Sequence, residues 1–129
     1  MALHNDLGKW GEEVAYEYFV KKGYGVIGRN VRMGRSSNEL DLILTKGTRI
    51  IFVEVKTRKT DAVDPLLSIT PEKERRIIRA AESYLRQTRS MLDPQFDLFI
   101  VIGNHSSDYR VEHHEDVFRP PLHSGGSRW

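Results

Sequence analysis

The spacing of hydrophobic residues along the chain predicts seven secondary-structure elements. Two stretches repeat apolar residues every three to four positions, which is typical of helices that bury one face. Five shorter stretches are rich in branched or aromatic residues, which favours strands. In chain order, the predicted elements are a helix at about 5–22, strands at 24–29, 40–44 and 50–55, a helix at about 71–87, and strands at 96–102 and 109–118. This order predicts an α/β fold in which helices flank a mixed sheet.

Residues typical of helix ends and loops mark the borders of these elements. Asp6 is expected to cap the first helix, and Gly23 to end it in a left-handed conformation. Thr70 suits the N-cap of the second helix, and Pro71 its first position. The remaining segments predict a basic loop at 30–37, a mobile loop at 58–69 and a disordered tail at 119–129, which leaves one domain over residues 1–118.

Composition narrows the class of protein. The 129 residues suffice for one domain, and the absence of cysteine excludes disulfides and thiolate chemistry. No apolar stretch approaches the roughly 20 residues of a membrane span, and the N-terminus lacks the pattern of a signal peptide. We therefore expect a cytoplasmic protein that does not contact a membrane.

Charged residues interrupt two strands that are otherwise apolar. Asp41 lies within the second predicted strand, and Glu54 and Lys56 lie within the third. A buried charge without a partner is costly, so such residues require a metal ion, a counter-ion or a position at a strand end. Side chains alternate along a strand, which places Glu54 and Lys56 on the same face.

The turn between these strands predicts how the charges meet. A two-residue turn at Lys46 and Gly47 would pair Asp41 with Phe52, and Glu39 with Glu54. Asp41, Glu39, Glu54 and Lys56 would then point to one side of the sheet, whereas a slip of one residue would separate them.

Acids and a lysine in this arrangement favour metal-dependent phosphate chemistry. Mg²⁺ prefers oxygen ligands and often uses one or two carboxylates together with a substrate phosphate. Such an ion polarises the phosphate and activates water, while Lys56 could orient the nucleophile or stabilise negative charge. The alternative interpretation of Glu54 and Lys56 is a solvated face with a cross-strand ion pair.

Asp41 followed by Glu54 and Lys56 resembles the signature of the PD-(D/E)XK nucleases. Further segments resemble the YraN-like family of small, uncharacterised bacterial proteins. These segments are 8–15, 29–30, 39–43 and 52–58, followed in the expected order by Lys73, Ala81, Tyr84, Leu85, Phe96 and Asp97. The resemblance covers about residues 8–102, and it departs from the family at Asn38, where glycine is usual.

The resemblance implies a restriction-endonuclease-like fold that binds Mg²⁺ or Mn²⁺. Asp41 and Glu54 would hold the metal, helped by the Val55 carbonyl, and Glu39 would be an additional or outer ligand. The family is similar to archaeal Holliday-junction resolvases, whose opening helix supplies a further glutamate. That role falls on Glu12, whose alternative is an ordinary surface glutamate, and the analogy also suggests a homodimer.

Two glycines in the first helix would allow another part of the molecule or a ligand to lie close to the helix backbone. Gly8 and Gly11 are poor helix formers that would let the backbone approach the sheet or a phosphate closely.

Basic residues form local stripes although the net charge is only +2. We predict nucleic-acid contacts, with DNA favoured, at several of them. They are Arg32, Arg35, Arg58, Lys59, Lys73, Arg75 and Arg79. For the residues of the second helix, the alternative is a solvated amphipathic face.

The residues thus support two classes of function. The first is a divalent-metal-dependent endonuclease that cleaves DNA phosphodiester bonds, with selectivity for DNA structure as a further expectation. The second is a non-catalytic module that binds nucleic acid or protein on a nuclease-like fold. Metal binding without turnover is a third possibility, and the choice of DNA over RNA stays open.

Overall fold

A computed structural model describes residues 3–34, 38–60, 69–105 and 107–119. Within these ranges the chain forms helices and strands in the predicted order. They are α1 (Leu3–Lys21), β1 (Gly25–Arg32), β2 (Glu39–Lys46), β3 (Arg49–Arg58), α2 (Pro71–Thr88), β4 (Asp93–Ile102) and β5 (Arg110–His114). β1 continues through Arg32, so the predicted loop at 30–37 begins later than expected.

The five strands form a single mixed sheet in the order β1-β2-β3-β4-β5. Neighbouring strands are antiparallel except β3 and β4, which are parallel and are connected through α2. The prediction of a mixed sheet flanked by helices is therefore confirmed, and the arrangement is compatible with a restriction-endonuclease-like fold.

Apolar side chains pack on both sides of the sheet. The cluster on the α2 side contains Met33, Leu40, Ile43, Ile50, Phe52, Ile77, Ala80, Ala81, Leu85 and Phe96. The cluster on the α1 side contains Val14, Ala15, Phe19, Leu42, Leu44, Ile51, Val53, Val55, Phe99 and Val101. Because β3 contributes to both clusters, it is a central strand covered on each face.

The predicted helix ends are confirmed in three of four cases. Thr70 accepts a hydrogen bond from the Lys73 N–H at 3.1 Å, with Pro71 at the start of α2. Gly23 has φ +90° directly after α1. The cap predicted at Asp6 is wrong, because α1 begins at Leu3 and Asp6 lies in its first turn. A carboxylate there still interacts favourably with the helix dipole.

The register of the β2–β3 hairpin differs from the prediction by two residues. Lys46 pairs with Arg49, Thr45 with Ile50 and Leu42 with Val53, so Gly47 and Thr48 form the turn. The predicted pair of Asp41 with Phe52 is therefore wrong. Since side chains alternate with period two, a shift of two residues leaves every side chain on its predicted face.

Some predictions fall outside the described residues. They include the contact assigned to Arg35, most of the loop at 58–69, and the tail beyond residue 119. In the described part of the chain, no helix combines the length and apolar character needed to cross a membrane.

Candidate active site

Asp41 lies where β2 and β3 stop pairing as a regular ladder. The register of the two strands extends as far as Leu42 and Val53. Beyond it, Asp41 Oδ2 accepts a hydrogen bond from the Val55 N–H at 2.9 Å. A carboxylate thus replaces a backbone carbonyl in satisfying this buried donor, which fixes Asp41 against β3.

Glu54 is a buried acid, with 9% of its surface exposed. Its Oε2 lies 2.6 Å from Nζ of Lys73, which is on the first turn of α2, and 3.8 Å from Nζ of Lys56 on its own strand. The stronger contact therefore comes from the helix, although Lys56 is only two positions away in sequence. Glu54 consequently connects the sheet to α2.

The proximity of the two acids changes the protonation of Asp41. Burial raises the pKa of Asp41 to about 8, and the charge of Glu54 and a hydrogen bond with its side chain act in the same direction. The hydrogen bond from Val55 opposes this rise in the Asp41 pKa without cancelling it. The protonated form of Asp41 is therefore favoured well above the pH at which an ordinary aspartate ionises.

The two lysines respond to this environment in opposite directions. Burial lowers the pKa of Lys56 to about 8, reinforced by a hydrogen bond with Lys73 and by its charge. Burial also lowers the pKa of Lys73, but the charge of Glu54 and the hydrogen bond with it outweigh burial, so the Lys73 pKa is raised. The difference follows from the hydrogen bond between the two lysines, which lowers the pKa of Lys56 and raises that of Lys73, and from the shorter distance of Lys73 to Glu54. Lys56 is therefore the amine with the pKa nearer to neutral.

Glu12 on α1 is close enough to the strand acids for their charges to influence its pKa. Burial raises the pKa of Glu12, and the charges of Glu39 and Glu54 contribute to the rise. A hydrogen bond from the Asn30 side chain and the charge of Arg29 oppose it. Glu12 is thus electrostatically coupled to the strand acids, which distinguishes it from an isolated surface glutamate.

Gly11 allows α1 to approach β3 at this point. A Cβ on Gly11 would lie 2.0 Å from Thr57 Oγ1, so the close approach to the sheet predicted for Gly11 is confirmed. At Gly8 no described atom beyond its own helix backbone lies within 4 Å of the corresponding position, so the expected approach to the sheet does not occur there. An approach of Gly8 to a phosphate stays a prediction.

A cleft of about 220 Å³ opens between the acidic strands and α2. Its lining residues are Asn38, Glu39, Asp41, Glu54, Lys73, Arg76 and Ile77. This volume has room for a phosphate group together with several waters. The cleft brings Glu39 next to Asp41 and Glu54, as the shared face of the hairpin predicted.

Arg76 and Asn38 were not among the predicted site residues. Arg76 follows Lys73 by three positions, and residues three or four apart lie on the same face of a helix. This spacing was the signal that could have found Arg76. Asn38, where the sequence departs from the family pattern, lines the cleft directly before β2 begins at Glu39.

The donors suit a hard divalent cation in type. Asp41 and Glu54 provide carboxylate oxygens, and the ammonium of Lys73 at Glu54 demonstrates that the cluster accommodates positive charge. Over the described residues, no three histidine, aspartate or glutamate side chains lie close enough together to hold an ion jointly. Two carboxylates with a substrate phosphate would meet the needs of Mg²⁺, whereas ligation by Glu12, Glu39 and Val55 stays a prediction.

The predicted nucleic-acid contacts that lie in the described residues differ in exposure and in partners. Arg32, Lys59, Arg75 and Arg79 are exposed. Arg58 is partly buried and is close enough to influence the pKa of Lys56. Lys73 differs from the other basic residues, because its ammonium forms an ion pair with Glu54 inside the cleft.

Comparison with known proteins gives a consistent result. The model of "Uncharacterised protein family UPF0102" matches residues 11–101. A UPF0102 protein of Bacteroides fragilis is 41% identical over 123 residues, covering 95% of this chain and 99% of that protein. UPF0102 proteins of Phocaeicola vulgatus (39% identity, 95% and 99% coverage) and Prosthecochloris aestuarii (38%, 90% and 95%) are also similar.

Proposed function

The chain belongs to the uncharacterised protein family UPF0102, and from that premise we propose that it is a divalent-metal-dependent endonuclease that cleaves DNA phosphodiester bonds. The observation that carries the proposal is the meeting of Asp41 and Glu54 in one cleft, with Nζ of Lys56 3.8 Å from Glu54. Acids forced together in a buried site attract a cation, and a lysine with a lowered pKa beside them suits proton transfer.

Each residue has a distinct task in this proposal. Asp41 and Glu54 hold Mg²⁺ or Mn²⁺, with Glu12, Glu39 and the Val55 carbonyl as further ligands. When bound, the ion would polarise the phosphodiester and stabilise the charge that develops on it. Lys56 orients the attacking water, and its pKa near 8 lets it exchange a proton under physiological conditions.

Basic residues around the cleft would position the substrate. The exposed side chains of Arg32, Lys59, Arg75 and Arg79 would contact backbone phosphates, as would Arg58 beside Lys56. Arg76 lines the cleft itself and is placed to contact a phosphate next to the acids. These contacts read backbone geometry instead of base sequence, which fits an enzyme selective for DNA structure.

A non-catalytic nucleic-acid-binding module is the second candidate. It is favoured by the ion pair of Glu54 with Lys73, which leaves the acids partly neutralised. It is also favoured by the lack of a joint three-ligand group within the described ranges. Such a module would bind DNA in a salt-dependent manner that requires neither a metal ion nor Lys56.

A cleavage assay separates the two candidates. Labelled linear, single-stranded and four-way-junction DNA would be incubated with the protein in Mn²⁺, alongside Asp41→Asn, Lys56→Met and the control Asp93→Asn. Asparagine is used at position 41 because its carbonyl can still accept the Val55 hydrogen bond, and Asp93 is an exposed acid at the far end of β4.

An endonuclease would cleave at least one substrate, lose cleavage in Asp41→Asn and Lys56→Met, and retain it in Asp93→Asn. In Lys56→Met, DNA affinity should stay close to that of the parent protein. DNA binding without cleavage in any Mn²⁺-containing reaction would overturn the enzyme proposal and favour the binding module.

A further inference from the structure

Lys73 has no task in the chemistry proposed above, yet it makes the shortest ion pair of the acidic cluster. Its Nζ lies 2.6 Å from Glu54 Oε2, against 3.8 Å for Lys56. The side chain of Glu54 is 10% exposed and that of Lys73 is 24% exposed, so water screens the contact only in part. An ion pair at this distance and depth holds the carboxylate firmly.

The backbone of Lys73 is fixed independently of this contact. Its N–H donates to the Thr70 hydroxyl at the capped start of α2, and Pro71 restrains the preceding turn. The lysine stem, in contrast, contains four rotatable carbons and one edge of it reaches solvent. The ammonium can therefore leave Glu54 without a movement of the helix.

A divalent cation on Glu54 would require the same carboxylate. Mg²⁺ lies about 2.0–2.1 Å from its oxygen ligands, and an ammonium in contact with the same oxygen would face it at repulsive range. We infer that Lys73 is the resident counter-ion of Glu54 and that Mg²⁺ or Mn²⁺ binds by displacing it. This inference rests on the proposed metal site.

The cleft provides a place for the displaced ammonium. Lys73 and Arg76 both line it, and their spacing puts them on one face of α2. An ammonium released from Glu54 thus stays beside Arg76, opposite the acids, where a phosphate of the substrate would enter. The same lysine neutralises the site before the metal binds and faces the substrate afterwards.

The affinity for Mn²⁺ tests this exchange without any measurement of activity. Isothermal titration would compare the parent protein with Lys73→Met, Lys73→Arg and Arg86→Met at one pH and ionic strength. Lys73→Met removes the competing charge and should bind Mn²⁺ about tenfold more tightly, the change expected for loss of a partly buried competitor. Lys73→Arg retains a cation near Glu54 and should bind like the parent protein.

Arg86→Met is the control for net charge, because Arg86 is an exposed cation on the same helix without a role in the proposed site. The affinity of Arg86→Met for Mn²⁺ should rise far less than that of Lys73→Met. Equal affinities of Lys73→Met and Arg86→Met, with measurable Mn²⁺ binding in both, would overturn the exchange and leave the proposed function intact. Absence of Mn²⁺ binding in all four proteins, including Lys73→Met, would overturn the metal site and with it the proposed nuclease.

Discussion

Two buried carboxylate clusters lie on opposite sides of the sheet, and they differ in the partners that surround their acids. Asp97 on β4 is 1% exposed and accepts three hydrogen bonds. The donors are Nε2 of Gln95 at 2.9 Å, Nε2 of His113 at 2.7 Å and the N–H of Asp116 at 3.0 Å. His113 in turn packs against the aromatic rings of α1. Each acceptor at Asp97 thus meets a donor.

The cluster of Asp41 and Glu54 places two acids together instead. One backbone N–H and two lysines face them, and the pKa of Asp41 rises to about 8. The comparison teaches that burial alone does not mark a functional acid. An acid whose oxygens each meet a hydrogen-bond donor stabilises the fold, whereas two acids placed next to each other cost stability and attract a cation.

The largest expected effect is on the satisfied acid. Asp97→Ala leaves three donors unpaired in the interior and should lower the free energy of unfolding by about 3–5 kcal/mol. Urea denaturation measures it, with Asp93→Ala on the exposed start of the same strand as the control. A loss below about 1 kcal/mol would remove the distinction between the two clusters.

Metal binding should stabilise the other cluster only. Mn²⁺ at about 100 times its dissociation constant should raise the free energy of unfolding by about 2.7 kcal/mol. The shift in melting temperature should be absent in Glu54→Gln and unchanged in Asp93→Asn. An equal shift in Glu54→Gln would place the ion elsewhere on the protein.

Asp41→Asn should stabilise the protein in the absence of metal, by about 1–3 kcal/mol at pH 8. The pKa of Asp41 is about 8 in the fold against its ordinary value of 3.8, so the folded protein binds a proton that the unfolded chain releases. The free energy of unfolding of the parent protein therefore falls as pH rises from near 4 to about 8.

Asparagine resembles the protonated acid, so Asp41→Asn should remove the fall in the free energy of unfolding with rising pH. Urea denaturation at a series of pH values measures the free energy of unfolding, and the two proteins should differ least near pH 4. Parallel profiles for the two proteins would contradict the raised pKa of Asp41.

The smallest effect is expected at a partly exposed pair of a histidine and a carboxylate. His114 Nε2 lies 3.1 Å from Glu112 Oε1, and each side chain is 33% exposed. Glu112→Gln should change the free energy of unfolding by less than about 0.5 kcal/mol, because water solvates both groups. A loss comparable to that of Asp97→Ala would show that burial is not what separates these pairs.

The fold, and the site residues that lie on β2 and β3, could be predicted from the sequence because both depend on local periodicity. Asp41, Glu54 and Lys56 share a face in either register, so an error of two residues in the turn did not matter. The start of α2 at Thr70 and Pro71 could be predicted for the same reason, because the capping residues are adjacent in sequence.

Contacts between distant segments could not be predicted in the same way. Lys73 reaches Glu54 because α2 crosses the sheet between parallel strands, and nothing near Lys73 in sequence encodes that position. Likewise, the partners of Asp97 come from 2, 16 and 19 positions along the chain. Only the packing of complete elements brings such residues together.

The hydrogen bond from Val55 to Asp41 has a consequence for the history of the fold. Since Asp41 completes the junction of β2 and β3, selection for a folded chain would retain an acceptor there even after an ancestral activity had been lost. Lys56 has only the longer of the two lysine contacts with Glu54, at 3.8 Å, and its burial disfavours the charged form. Among descendants of one ancestor, the identity of the residue at position 56 is therefore the better record of whether chemistry is still under selection.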